Sequence, residues 1–147
     1  EEFINDLVTE VDGMRRPGQQ IVVQLAGHLT DFVSDTSMLR KVLLNALSNA
    51  LKFSQKDVFL KAMLEENNLI MEITDQGIGI SEADQKHLFE RFFRATNVTN
   101  IQGTGLGLHI VGRYVELLNG TINYNSEFEN GSRFILNLPS SIKNEFE

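Results

Sequence analysis

"LLNALSNALKFS", residues 43–54, is built mostly from helix-forming apolar residues, yet Asn45 and Asn49 interrupt it. A helix turns about 100° per residue, so Asn45, Asn49 and Lys52 fall within about 60° of one another. Leu39, Val42, Leu43, Ala46, Leu47 and Ala50 make a separate, adjacent apolar arc. The polar trio therefore lines one edge of a stripe destined for burial, facing a cavity that borders the core. An amide oxygen is a neutral hard ligand that suits Mg²⁺ keeping waters and phosphate oxygens as its other ligands. An ammonium one turn later offers phosphate a point charge. A solvated helix edge has the same composition, so the rest of the chain has to decide.

Outward from this helix, Asp35 or Thr36 is its expected cap and Phe53 its end. Upstream, Phe3, Leu7, Val8 and Val11 predict a first helix over 3–14, broken at Pro17 and Gly18. "IVVQL" (21–25) reads as a strand and "DFVSD" (31–35) as a short second one. Downstream, strands at about 57–64 and 69–75 flank the turn "EENN". A helix starts at Ser81, residues 95–104 show no periodicity, and a further helix runs from about 105 to 118 before the stop signal Asn119-Gly120. Strands at about 121–126 and 132–138 close the chain, with Pro139 behind them. Two hairpins exclude a purely parallel arrangement. The expected class is α/β: a mixed, mostly antiparallel sheet with helices layered on one face.

The 147 residues suit one domain, with residues 1–19 as helix and linker, 20–138 as core and 139–147 as tail. A composition of 41% apolar and 22% charged residues is that of a water-soluble globular chain. With no cysteine, disulfides, thiolate zinc sites and a cysteine nucleophile are excluded. The net charge of −7 argues against nucleic acid as a partner. No apolar run approaches the roughly 18 residues of a membrane span. These features predict a cytoplasmic fragment without membrane contact of its own. The start at Glu1 reads as an excision that leaves room for an anchor upstream.

Two glycine segments add to the helix edge. "DQGIGI" (75–80) follows a strand in which Leu69, Met71, Ile73 and Asp75 share one parity and thus one sheet face. A carboxylate among core residues needs a strong donor, and the exocyclic amino group of a base is one. Gly77 and Gly79 allow the backbone to turn sharply beside a flat ring, although an ordinary Asp-Gly turn looks the same. "GTGLGL" (103–108) sets Gly103, Gly105 and Gly107 at a helix start, where unpaired N–H groups and a partial positive charge suit phosphate. It is neither a P-loop nor a dinucleotide fingerprint. The aperiodic residues before it read as a loop or as a lid over bound phosphates.

Taken together, these segments resemble the catalytic, ATP-binding domain of sensor histidine kinases in the GHKL superfamily. "NALSNALKF" is similar to the asparagine box, "DQGIGI" to the first glycine box, "LFERFFR" to the phenylalanine box and "GTGLGL" to the second glycine box. "NGSRFILNLP" is similar to the terminal segment, with Ser132 where threonine is common. The resemblance spans about residues 20–138. It implies the Bergerat fold, a two-layer α/β sandwich of about five strands and three helices that holds ATP with Mg²⁺. By position, it makes Asn49 the Mg²⁺ ligand with Asn45 as helper, Lys52 a phosphate contact and Asp75 the partner of the adenine amino group. It also places Phe53, Gly77, Gly79, Ile80, Gly103, Thr104, Gly105, Leu106, Gly107, Leu108 and Ser132 around the nucleotide. Arg91 and Arg94 are the γ-phosphate candidates, and Phe89, Phe92 and Phe93 pack the hinge of the lid. Gln102 departs from the pattern, where relatives often carry glycine.

In hydrolytic members a glutamate four residues before the metal asparagine activates water. Here that position is Asn45, and an amide is no general base at neutral pH. The resemblance therefore implies transfer to a histidine on a separate dimerisation domain, with a response regulator further downstream. His28, His87 and His109 lack the acidic neighbour and downstream proline of an acceptor motif. A serine/threonine kinase of the anti-sigma-factor type and a nucleotide-sensing domain without transfer share these boxes and remain alternatives.

Overall fold

The computed structural model describes residues 2–15, 17–27, 32, 34–54, 56–77, 107–127 and 131–140. The elements in chain order are helix α1 (Glu2–Asp12), strand β1 (Ile21–Ala26), helix α2 (Thr36–Phe53), strands β2 (Val58–Glu65) and β3 (Asn68–Thr74), helix α3 (Gly107–Leu117), and strands β4 (Thr121–Glu127) and β5 (Gly131–Pro139). The strands form one five-stranded sheet in the order β1-β2-β3-β5-β4. β1 pairs parallel with β2, Ile21 opposite Val58. The other pairs are antiparallel, Leu60 opposite Ile73, Met71 opposite Leu136 and Ile122 opposite Leu136. The expected mixed, mostly antiparallel α/β sandwich is what the chain forms.

Alternation along the strands places the core on one side of this sheet. Val58, Leu60 and Ala62 of β2, Leu69, Met71 and Ile73 of β3, and Leu136 and Leu138 of β5 are buried. They join one cluster with Ile4, Leu7 and Val11 of α1, Val42, Leu43 and Leu47 of α2, and Val111 and Val115 of α3. Each buried Leu or Ile stabilises the fold by about 1.5–3 kcal/mol. The opposite face carries Val22, Phe59 and Met63, all exposed.

α2 begins where its cap residue dictates. The Asp35 carboxylate accepts a 3.1 Å hydrogen bond from the Met38 N–H, and its carbonyl accepts from the Leu39 N–H at 2.9 Å. The short strand expected over 31–35 does not appear at Phe32, Ser34 or Asp35, the members of that stretch that are described. A side chain that competes for the backbone N–H groups ahead of it commits Asp35 to capping instead. At the far end of α3 it is Asn119, at φ 62°, that takes the left-handed conformation. The Gly120 N–H then bonds back to the Val115 carbonyl at 2.9 Å. Gly120 is required for another reason: a Cβ there would lie 2.5 Å from Leu138 Cδ2 and 2.7 Å from the Asn137 carbonyl oxygen.

Candidate nucleotide site

α2 presents its two amides as the spacing predicts. Val42, Leu43, Ala46, Leu47 and Ala50 are buried, and Asn45, Asn49 and Lys52 are half-buried along the adjoining edge. Asn45 Nδ2 donates to the Lys41 carbonyl at 2.7 Å. That bond ties its amide nitrogen to the helix and leaves Oδ1 as the atom available to a ligand. Among the described residues the Asn49 amide has no hydrogen-bond partner. Lys52 lies in the last turn of α2, where a cation also complements the helix dipole. Near the start of the helix, Lys41 Nζ meets the Tyr114 hydroxyl at 3.2 Å and sits 5.1 Å from its ring centre, which locks α2 against α3.

Asp75 follows β3 on the core side of the sheet and is only 8% exposed. Its Oδ1 accepts from the Gly77 N–H at 3.0 Å and from the Ser132 N–H at 3.2 Å. Its own N–H donates to the Ser132 carbonyl at 2.9 Å. Burial pushes the carboxyl above its ordinary range, against the opposing pull of those two N–H groups. Among the described residues Oδ2 has no hydrogen-bond partner. A buried carboxylate oxygen left in that state calls for a donor.

The two halves meet through Ser54, the residue that ends α2. Its N–H bonds to the Ala50 carbonyl at 2.9 Å, and its Oγ accepts the Gln76 N–H at 3.2 Å. Ser54 and Gly77 pair as an isolated bridge. The last turn of the amide-bearing helix is therefore fastened to the turn that shapes Asp75.

Gly131, at φ 101°, lies against the same turn, and a Cβ there would come within 2.3 Å of the Asp75 carbonyl oxygen. The sequence placed Gly131 between the last two strands and in the terminal segment "NGSRFILNLP" without a contact to Asp75, and gave Ser54 no role. Neither has a local signature, since each is defined by a contact with a remote segment. The backbone N–H and carbonyl of Ser132 both meet Asp75. Gly107 and Leu108 open α3, the helix that the second glycine box was expected to start. Gly79, Ile80, Arg91, Arg94, Gly103, Thr104, Gly105, Leu106, the lid, the phenylalanine box, His28, His87 and the side chain of Phe53 lie outside the described residues.

Among the described residues no group of three or more His, Cys, Asp or Glu is placed to hold a metal. A donor set of one or two amide oxygens fits Mg²⁺ that takes most of its ligands from phosphate and water. Asn49, its amide unpartnered among the described residues, is the side chain that fits this role.

A helix edge of amides and a cation, joined to a buried carboxylate beside glycines, is chemically suited to a nucleotide with its metal. Residues 34–142 match the family described as "Histidine kinase-, DNA gyrase B-, and HSP90-like ATPase", and the chain belongs to that family. Within it, the chain is of the type of the catalytic, ATP-binding domain of sensor histidine kinases. It is 39% identical to the circadian input-output histidine kinase CikA of Synechococcus elongatus over 121 residues, which are 80% of this chain and 16% of that protein. It is 35% identical to the sensor histidine kinase YclK of Bacillus subtilis over 131 residues, 86% of this chain and 27% of that one. The solved structure of the mycobacterial sensor histidine kinase MprB superposes with a TM-score of 0.80 at 27% identity, over 95% of this chain and 94% of that chain. The chain thus spans about a sixth to a quarter of the length of these two curated relatives.

Proposed function

We propose that this chain binds Mg-ATP and presents its γ-phosphate to a histidine on a separate dimerisation domain of the same protein, from which a response regulator is served. The observation that carries the reading is the buried Asp75, one carboxylate oxygen fixed by two backbone N–H groups and the other without a partner among the described residues. The 6-amino group of adenine supplies the missing donor. The carbonyl that guanine bears at that position would instead face a carboxylate oxygen. Asn49, assisted by Asn45, is the proposed metal ligand, and Lys52 holds phosphate. Magnesium, when bound, offsets phosphate charge. Gly77, Gly79 and Ile80 are assigned to the base, and Gly103, Thr104, Gly105, Leu106, Gly107 and Leu108 to the phosphates, with Arg91 and Arg94 toward the γ-phosphate.

An amide at position 45 cannot deprotonate water, which favours transfer over hydrolysis. Deprotonation of the acceptor is left to the partner domain. The whole chain is assigned to one domain in the cytoplasm, with residues 20–138 as its core. In support, α1 contributes to the same buried cluster as the sheet, and no described helix is long and apolar enough to cross a membrane.

The test is incubation with γ-labelled ATP, with and without a dimerising hairpin that carries a histidine. The expected label is on the hairpin only, labile to acid and stable to alkali. Acid-stable label would assign a serine/threonine kinase instead, and absence of Mg-ATP binding by calorimetry would remove the reading altogether.

A further inference from the structure

Gln19, between α1 and β1, is fully buried, with 0% of its surface exposed. Its Nε2 lies 3.2 Å from the Leu51 carbonyl, 3.1 Å from that of Ser54 and 3.0 Å from that of Lys56. The last four carbonyls of a helix have no partner within it. The Leu51 carbonyl is one of these in α2, and a side chain from 32 residues earlier supplies its donor. The backbone of Gln19 is held in turn, since Arg15 donates to its carbonyl at 2.9 Å. The next residue is pinned as well: the Gln20 N–H donates to Asp57 Oδ1, and the Val58 N–H to the Gln20 carbonyl, both at 2.9 Å.

The chain of contacts continues toward Asp75. Ser54 Oγ donates to the Lys56 carbonyl at 3.0 Å and accepts the Gln76 N–H at 3.2 Å. The N–H of Gly77, the next residue, is one of the two that fix Asp75 Oδ1. No atom of Gln19 has to reach a ligand for it to matter. It holds the Ser54 carbonyl while Ser54 holds the turn.

We infer that Gln19 is a positioning residue for base recognition, which acts through Ser54 to set the Asp75–Gly77 turn against the end of α2. The inference rests on the nucleotide reading above and deepens it: adenine selectivity depends on a buried amide in the segment between α1 and β1. Without its two N–H donors the Leu51, Ser54 and Lys56 carbonyls lose the group they share, and the Ser54 peptide is freed to shift.

The test uses Gln19→Met, similar in length but without donors, and Ser54→Ala, which removes the hydroxyl that holds Gln76 and bonds the Lys56 backbone. ATP and GTP affinities are measured by calorimetry well below each variant's thermal midpoint. Each variant is expected to lose about three- to tenfold in ATP affinity and to narrow its preference for ATP over GTP, as loss of one or two neutral hydrogen bonds would. The double variant is expected to lose less than the product of the two.

A purely structural role would lower the thermal midpoint and leave the ATP-to-GTP ratio at the wild-type value, and that result overturns the inference. If Gln19→Met does not fold, Ser54→Ala alone decides by the same ratio. Wild-type protein that ignores ATP would instead overturn the nucleotide reading, and this inference with it.

Discussion

The Asp75 end and the Asn49 end of the site are held by different means. At Asp75, backbone does the holding: two N–H groups from separate segments grip one carboxylate oxygen, and a buried serine fixes the turn. At Asn49, a half-buried side chain stands on a helix edge and uses none of its hydrogen-bonding capacity on the described fold. The first end is held by the fold itself, as a site that is to discriminate between bases has to be. The second end carries side chains that can be changed with little effect on the fold.

The largest effect is expected from disturbing the rigid end through its backbone. Gly131→Ala forces a Cβ to within 2.3 Å of the Asp75 carbonyl oxygen at a φ of 101°. It should cost about 2–4 kcal/mol in urea unfolding and remove measurable ATP binding. Unchanged stability would mean that the approach of β5 to Asp75 is looser than the structure shows.

Asp75→Asn comes next. It keeps an acceptor for the two N–H groups but loses the charge. Binding of ATP should weaken about tenfold or more, the worth of a charge-assisted hydrogen bond of roughly 1.5–3 kcal/mol.

At the other end the signs separate. Asn49→Ala should raise unfolding stability slightly, by about 0.5 kcal/mol, because Ala is the better helix former. Titrated in Mg²⁺, the same variant should bind ATP no better than wild type does in a chelator. A marked loss of stability would show that the amide serves the fold, and the contrast between the ends would collapse.

The smallest and most gradual effect is that of pH. Burial raises the Asp75 pKa above that of an ordinary carboxylate. This group therefore contributes to stability in full below that value, and the contribution is lost as pH rises through the higher native pKa. With the proposed adenine contact, affinity for ATP should decline on acidification, beginning above the range of an ordinary carboxylate. Asp75→Asn should flatten this part of the profile in a calorimetric pH series.

Much of this was legible in the sequence, for identifiable reasons. The α2 edge follows from a fixed rotation per residue, and the burial of Asp75 from the two-residue repeat of a strand; both are local rules. The cap at Asp35 was legible too, but the short strand expected over 31–35 is not found at Phe32, Ser34 or Asp35, where the carboxylate reaches forward to Met38 instead. Gln19, Ser54 and Gly131 were opaque for a different reason. Gln19 bonds a carbonyl 32 positions away, and Ser54 an N–H 22 positions away. No window of sequence contains both partners. The left-handed Asn119 shows the intermediate case, in which the stop signal was visible but the division of labour within it was set by Leu138 across the sheet.

The parallel pairing of β1 with β2 makes α2 the crossover between adjacent strands. A helix tethered at both ends to one sheet cannot roll or slide without dragging two strands out of register. Its azimuth is thus a constant of the architecture, and evolution can exchange single side chains along the Asn49 edge on an axle that stays put.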